Sequence, residues 1–149
     1  MCGPAGSGKS TVARGLEAEG FVRLSIDEEA WDRGYRAQPL PASVAEAIER
    51  GLRTTLVGLV EAGSDVVVDF SFWSRRMRAA YRALLRPLGV TPEIVYLATP
   101  REVVLRRIRE RRGDDPNAVR LPPDVAMAYA DAFEPPTPDE GPLTVIRTE

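Results

Sequence analysis

The sequence predicts an α/β fold built on a parallel sheet, and three observations carry that expectation. Short apolar runs alternate with helix-periodic segments, the pattern of right-handed βαβ crossovers. Gly3-Pro4-Ala5-Gly6-Ser7-Gly8-Lys9-Ser10 fits G-x-x-x-x-G-K-[ST], a phosphate-cradling loop that opens a helix. Two further apolar runs each end on an aspartate, Asp27 and Asp69, and parallel sheets gather ligands at the carboxyl ends of their strands.

The bulk numbers fit one soluble domain over residues 1–149: 44% hydrophobic, 28% charged, net charge −2. That slight acidity argues against a dedicated nucleic-acid binder. With no histidine and only Cys2, a Ser-His-Asp mechanism is excluded, and neither a structural zinc site nor a disulfide framework is expected. A lone cysteine suits a reducing cytoplasm, the expected location. No apolar run reaches membrane length, so no membrane partner is expected. Lys9 is the only lysine, and it falls in the one loop whose chemistry asks for it.

Taken in order, Thr11 to Glu19 is expected as a helix stopped by Gly20. Phe21 to Ile26 alternates, with Val22, Leu24 and Ile26 on one side, and reads as a strand closed by Asp27. Residues 28–41, with Pro39 and Pro41, hold a short helix and an irregular loop. Val44 to Glu61 is a clear amphipathic helix, and Asp65 to Phe72 contains the buried strand Val66-Val67-Val68. Ser74 caps a helix to Leu88 that turns Met77, Tyr81, Leu84, Leu85 and Leu88 inward. Glu93 to Ala98 is the next strand. Thr99-Pro100-Arg101-Glu102 reads as a capping box, with the helix running to about Arg112. A polar lid at about 109–123, a helix from Asp124 to Phe133, a proline-rich loop and a terminal strand from Leu143 to Arg147 complete the chain. A loop of this kind should follow a buried strand. Only Met1 and Cys2 precede Gly3, so the first strand is expected to be truncated or missing.

The loop would bind nucleotide through Gly3, Ala5, Gly6, Ser7, Gly8, Lys9, Ser10 and Thr11. Lys9 would reach the β- and γ-phosphates and Ser10 would ligate Mg²⁺. Asp69 looks like a Walker B acid, a second metal ligand. Asp27, on another strand, would face an acceptor hydroxyl and take or orient its proton. Either aspartate reads alternatively as a helix N-cap. Arg101, Arg106, Arg107, Arg109, Arg111 and Arg112 read mostly as a solvated face, but Arg107 and Arg111 share a helix face and could offset γ-phosphate charge. Arg75, Arg76 and Arg78 either bind an anionic substrate or lie on the surface. Trp31, Tyr35, Phe72 and Trp73 either line an acceptor pocket or pack in the core.

With these residues placed, the chain resembles the P-loop kinases of the AAA_33 and zeta-toxin-like group. Its relatives include chloramphenicol phosphotransferase, gluconate kinase and polynucleotide kinase. The motifs that carry the resemblance are the loop, Ser25-Ile26-Asp27-Glu28, Val68-Asp69-Phe70-Ser71-Phe72-Trp73 with Arg78, Arg107-x-x-x-Arg111, and Phe133-Glu134-Pro135-Pro136. It implies a three-layer P-loop NTPase fold with strand order 2-3-1-4-5. It also implies Asp27 as the catalytic or acceptor-orienting aspartate, Arg107 and Arg111 as lid arginines, and Pro135 beside the adenine. The function so implied is transfer of the γ-phosphate of Mg·ATP to a small-molecule hydroxyl. A polynucleotide 5′-hydroxyl kinase using Arg75, Arg76 and Arg78, and a nucleotide-binding module without transfer, are the alternatives.

Overall fold

The computed structural model of the chain describes residues 1–148. Among them, four strands alternate with helices: α1 (Lys9–Ala18), β1 (Val22–Ser25), α2 (Ile26–Asp32), α3 (Ala42–Glu61), β2 (Val66–Asp69), α4 (Arg75–Leu85), β3 (Ile94–Ala98), α5 (Arg101–Arg109), α6 (Pro123–Ala132) and β4 (Leu143–Arg147). β1 pairs with β2 and β3 with β4, both in parallel.

Residues 1–3 stand between the two pairs. Met1 N donates to the Val68 carbonyl at 2.8 Å and Gly3 N to Ser71 at 3.0 Å, while Cys2 N donates to Val95 at 2.8 Å. The segment before the loop therefore contributes one parallel bridge, Cys2 to Tyr96, and not a ladder. It still delivers the loop to the sheet edge where β1 and β2 end.

Helices cover both faces, giving the expected three layers. Leu56, Phe70, Phe72, Tyr81 and Leu85 fill one side with Leu24 and Cys2. On the other, Ala13 of α1 packs with Met1, Val67 and Leu97. A third cluster, Val104, Ile108, Leu121 and Ala126, joins α5 to α6.

Several local expectations are corrected. β1 does not follow simple alternation: Val22 is 38% exposed, whereas Arg23 is 9% exposed. Asp27 does not close the strand; it lies in the first turn of α2, and Ser25 is the cap, its hydroxyl accepting from Glu28 N at 3.3 Å. Ser74 caps α4 as expected, but that helix ends at Leu85 and passes into a 3₁₀ turn over Arg86–Leu88. α5 stops at Arg109, so Arg111 lies beyond the helix that was expected to place it on one face with Arg107. No capping box forms at Thr99, because its hydroxyl donates instead to the Ser7 carbonyl at 2.9 Å. A box does form at Thr137 and Glu140, in the proline-rich loop.

Candidate active site

The loop folds as its glycines require. Gly6 has φ +81°, and a Cβ there would sit 2.9 Å from the Val104 carbonyl and 3.1 Å from Ile108 Cγ1. α5 thus lies directly against the loop, and only glycine permits the approach. Gly8, at φ +99°, turns the chain into α1. Its first turn then faces outward with N–H groups that have no helical partner.

A cleft of about 800 Å³ opens over that helix start, within the range of small-molecule sites. Ala5, Gly6, Gly8, Lys9, Ser10, Thr11, Asp27, Asp69, Trp73, Arg107 and Arg111 all border it. The structure thereby brings together groups from four separate stretches of sequence. Lys9 Nζ donates to the Pro4 carbonyl at 2.9 Å. Desolvation lowers the pKa of Lys9, with Asp69 and Asp27 opposing the shift. Desolvation likewise raises the carboxyl of Asp27 above 3.8, against the pull of Lys9 and Arg111, although the residue is exposed into the cleft. Arg111 is lowered by desolvation and restored in part by Asp27, and its Nη1 donates to Val119 O at 3.1 Å. Arg107 reaches the loop itself, Nη1 lying 3.4 Å from Gly6 O and 3.5 Å from Ser7 O.

Sequence reasoning missed the network beneath this surface. Arg23 donates to Asp69 Oδ2 through Nε at 3.0 Å and Nη2 at 2.6 Å, pairs with Glu28, and reaches Asn117 Oδ1 at 3.2 Å. Ser10 Oγ donates to the same Asn117 oxygen at 3.0 Å. Asp69 Oδ1 and Ser7 Oγ are buried without a hydrogen-bond partner. One signal was available: an arginine two residues before a capping serine, inside an apolar strand, needs a buried acid across the sheet. Lid residue Asp115 also escaped notice; it accepts from Arg14 at 3.2 Å and caps the turn that presents Asn117.

Other expected residues fall elsewhere. Trp31 and Tyr35 do not border the cleft; Trp31 lies under Arg36, 3.8 Å from its ring centroid. Arg75 is exposed and paired with Asp139. Arg78 is buried, bidentate to Glu140 at 2.7 and 3.0 Å, and bonded to the carbonyls of Phe72 and Glu134. It is a brace and is not presented to a substrate. Gly3, Ser7 and Pro135 are also absent from the cleft lining, though Phe133 borders it and stacks on Tyr96 at 5.8 Å. Among the described residues, no helix is long and apolar enough to cross a membrane.

Comparison with known proteins agrees with this geometry. Residues 1–136 match the AAA_33 family, described as an AAA domain. A UPF0200 protein of Pyrobaculum aerophilum is 34% identical over 124 residues, covering 78% of this chain and 67% of its own. A sugar kinase from a Janibacter species superposes with a TM-score of 0.67 at 22% identity, over 98% of this chain and 82% of that one. A gluconokinase of Sinorhizobium meliloti gives 0.64 at 20% identity, over 98% and 79%. At such identities these structures speak to fold, which is that of the P-loop kinases. The family match runs from Met1 through the phosphate loop, Asp27, Asp69 and the lid to Pro136, and the chain belongs to the AAA_33 family.

Proposed function

We propose that the chain is an ATP-dependent phosphotransferase acting on a hydroxyl of a small molecule. The observation that carries this reading is the convergence of Lys9, Asp27, Asp69, Arg107 and Arg111 on one cleft at the start of α1. A nucleotide sensor needs the loop and Lys9. It does not need a carboxylate in the first turn of α2 bordering the same cleft.

The loop N–H groups and Lys9 hold the β- and γ-phosphates of ATP. Asp27 receives the acceptor hydroxyl and takes its proton. The acceptor oxygen forms a bond to Pγ, the bond from Pγ to the β,γ-bridging oxygen breaks, and ADP leaves with that electron pair. Arg107 and Arg111 offset the charge that spreads over the moving phosphoryl group. Mg²⁺, when bound, neutralises and orients the phosphate oxygens. Ser10 Oγ and the unpartnered Asp69 Oδ1 are the hard oxygen donors that fit it. Among the described residues no group of three or more acidic, cysteine or histidine side chains is placed to hold a metal ion. This suits a cation that keeps water and phosphate in its shell.

The test is incubation with Mg·ATP and a mixed set of alcohols, with products read by mass spectrometry. Phosphorylated alcohol and matching ADP are expected from the native chain, and neither from Lys9→Ala. Nucleotide binding without any phosphorylated alcohol would leave a binding module in place of a kinase.

A further inference from the structure

The cleft has two chemically different sides. The phosphate loop and lid side carries Lys9, Arg107 and Arg111, whereas the side supplied by the start of α2, the α2–α3 connection and the end of β2 is mostly apolar. Ile26, Leu40, Phe70 and Trp73 form that wall, and Tyr129 of α6 and Phe133 just beyond it continue it. Trp73 is 49% and Tyr129 45% exposed, so two large aromatic side chains stand open within a concave site. Aromatic surface left uncovered in a cleft marks a place for a ligand body.

The wall is poor in groups that would read a polar acceptor. Besides Asp27 and Asp69, the latter held by Arg23, that side brings Gln38 and Ser71 to the cleft. Nearby cations are committed: Arg23 to Asp69, Arg75 to Asp139, Arg78 to Glu140 and Arg14 to Asp115. A sugar would desolvate several hydroxyls, each needing a partner, and a sugar acid would further need a cation for its carboxylate.

We infer that the acceptor is an uncharged alcohol on an aromatic or aliphatic scaffold, its body lying against Leu40, Phe70 and Trp73 and its hydroxyl meeting Asp27. The inference rests on the phosphotransfer reading above.

The experiment is a competition under Mg·ATP between 3-phenylpropan-1-ol and cyclohexylmethanol on one side and D-glucose, glycerol and D-gluconate on the other. The apolar alcohols are expected to react with at least tenfold higher kcat/KM. Trp73→Ala, and independently Leu40→Ser, should raise their KM at least fivefold while the KM for ATP holds. Sugar or sugar-acid phosphate as the main product overturns the inference and leaves the phosphotransferase reading standing. A rise in the KM for ATP in Trp73→Ala, with the alcohol KM unmoved, also overturns it, because the wall would then hold the base. No product from any alcohol, with ATP still bound, defeats both.

Discussion

Arg23 holds one oxygen of Asp69 and leaves the other bare. Nε and Nη2 both donate to Oδ2, at 3.0 and 2.6 Å, while Oδ1 is buried without a partner. The two residues sit on neighbouring strands, Ser25 pairing with Asp69 and Arg23 lying two residues earlier on the same face. One guanidinium therefore fixes the carboxylate plane and leaves the second oxygen with its hydrogen-bonding capacity unused.

The first prediction follows from that asymmetry. Arg23→Met strands Asp69 and Glu28, and removal of one partner from a buried ion pair costs about 3–5 kcal/mol. That corresponds to roughly 6–20 °C in melting temperature for a domain of this size. Arg23→Met with Asp69→Leu should recover most of the loss, because the stranded charge is gone. A double variant no more stable than the single one would mean that Arg23 acts through Glu28 or Asn117 instead.

The second concerns the brace opposite. Arg78 lowers the carboxyl of Glu140 from 4.5 to about 2 through paired hydrogen bonds. A depressed carboxylate contributes stability that is full above its unfolded value and is lost as pH falls. The native chain should therefore lose stability between about pH 4.5 and 2, by on the order of 3 kcal/mol from this pair. Glu140→Gln should be less stable at pH 7 by a similar amount and flatter below pH 4.5. Denaturant melts at a series of pH values check both.

Those two ion pairs also show what the sequence could and could not reveal. The phosphate loop, Asp69 at the end of a valine run and the Ser74 cap are local signals, and each stands where its spacing puts it. Arg78 and Glu140 are 62 residues apart, so their pairing has no local signature. Arg23 was hidden by alternation, which assumes one wet face, whereas this strand is covered on both. The Thr99 box failed for a related reason: the loop carbonyl of Ser7 competes for the same hydroxyl. The sequence expects Arg111 inside a helix running to about Arg112, whereas α5 ends at Arg109 with Glu110 as its C-cap.

A matched glycine pair gives the third prediction. Gly6→Ala forces a Cβ to within 2.9 Å of Val104 O at a positive φ, pushing α5 off the loop. It should cost about 1–3 kcal/mol and weaken ATP binding. Gly15→Ala, in α1 with nothing within 4 Å of its Cβ, should instead stabilise by about 0.5–1 kcal/mol. Equal effects at the two positions would deny that the loop–α5 contact matters.

Nucleotide linkage supplies the fourth. At a hundred times its dissociation constant, Mg·ATP should add about 2.7 kcal/mol to the native chain, or roughly 5–11 °C. Lys9→Ala should show little of that shift, because its ammonium is the one lysine charge at the phosphate site. A full shift in Lys9→Ala would place the phosphates elsewhere.

The last prediction separates chemistry from stability at Asp27. Desolvation raises its carboxyl above 3.8, so the folded state holds a proton that the unfolded chain has already released over the window just above that value. Stability therefore falls as pH rises through that window, and at pH 7 the ionised group is a net cost to the fold. Asp27→Asn should consequently melt at or above the native temperature at pH 7 and keep its Mg·ATP shift. Phosphoryl transfer should drop at least a hundredfold, the usual scale of a lost general base. In the native chain, transfer should decline as pH falls through the raised carboxyl, since the base must be ionised. A variant that is destabilised but transfers within a few-fold of the native rate would mean that Asp27 supports the fold and that another group receives the acceptor hydroxyl.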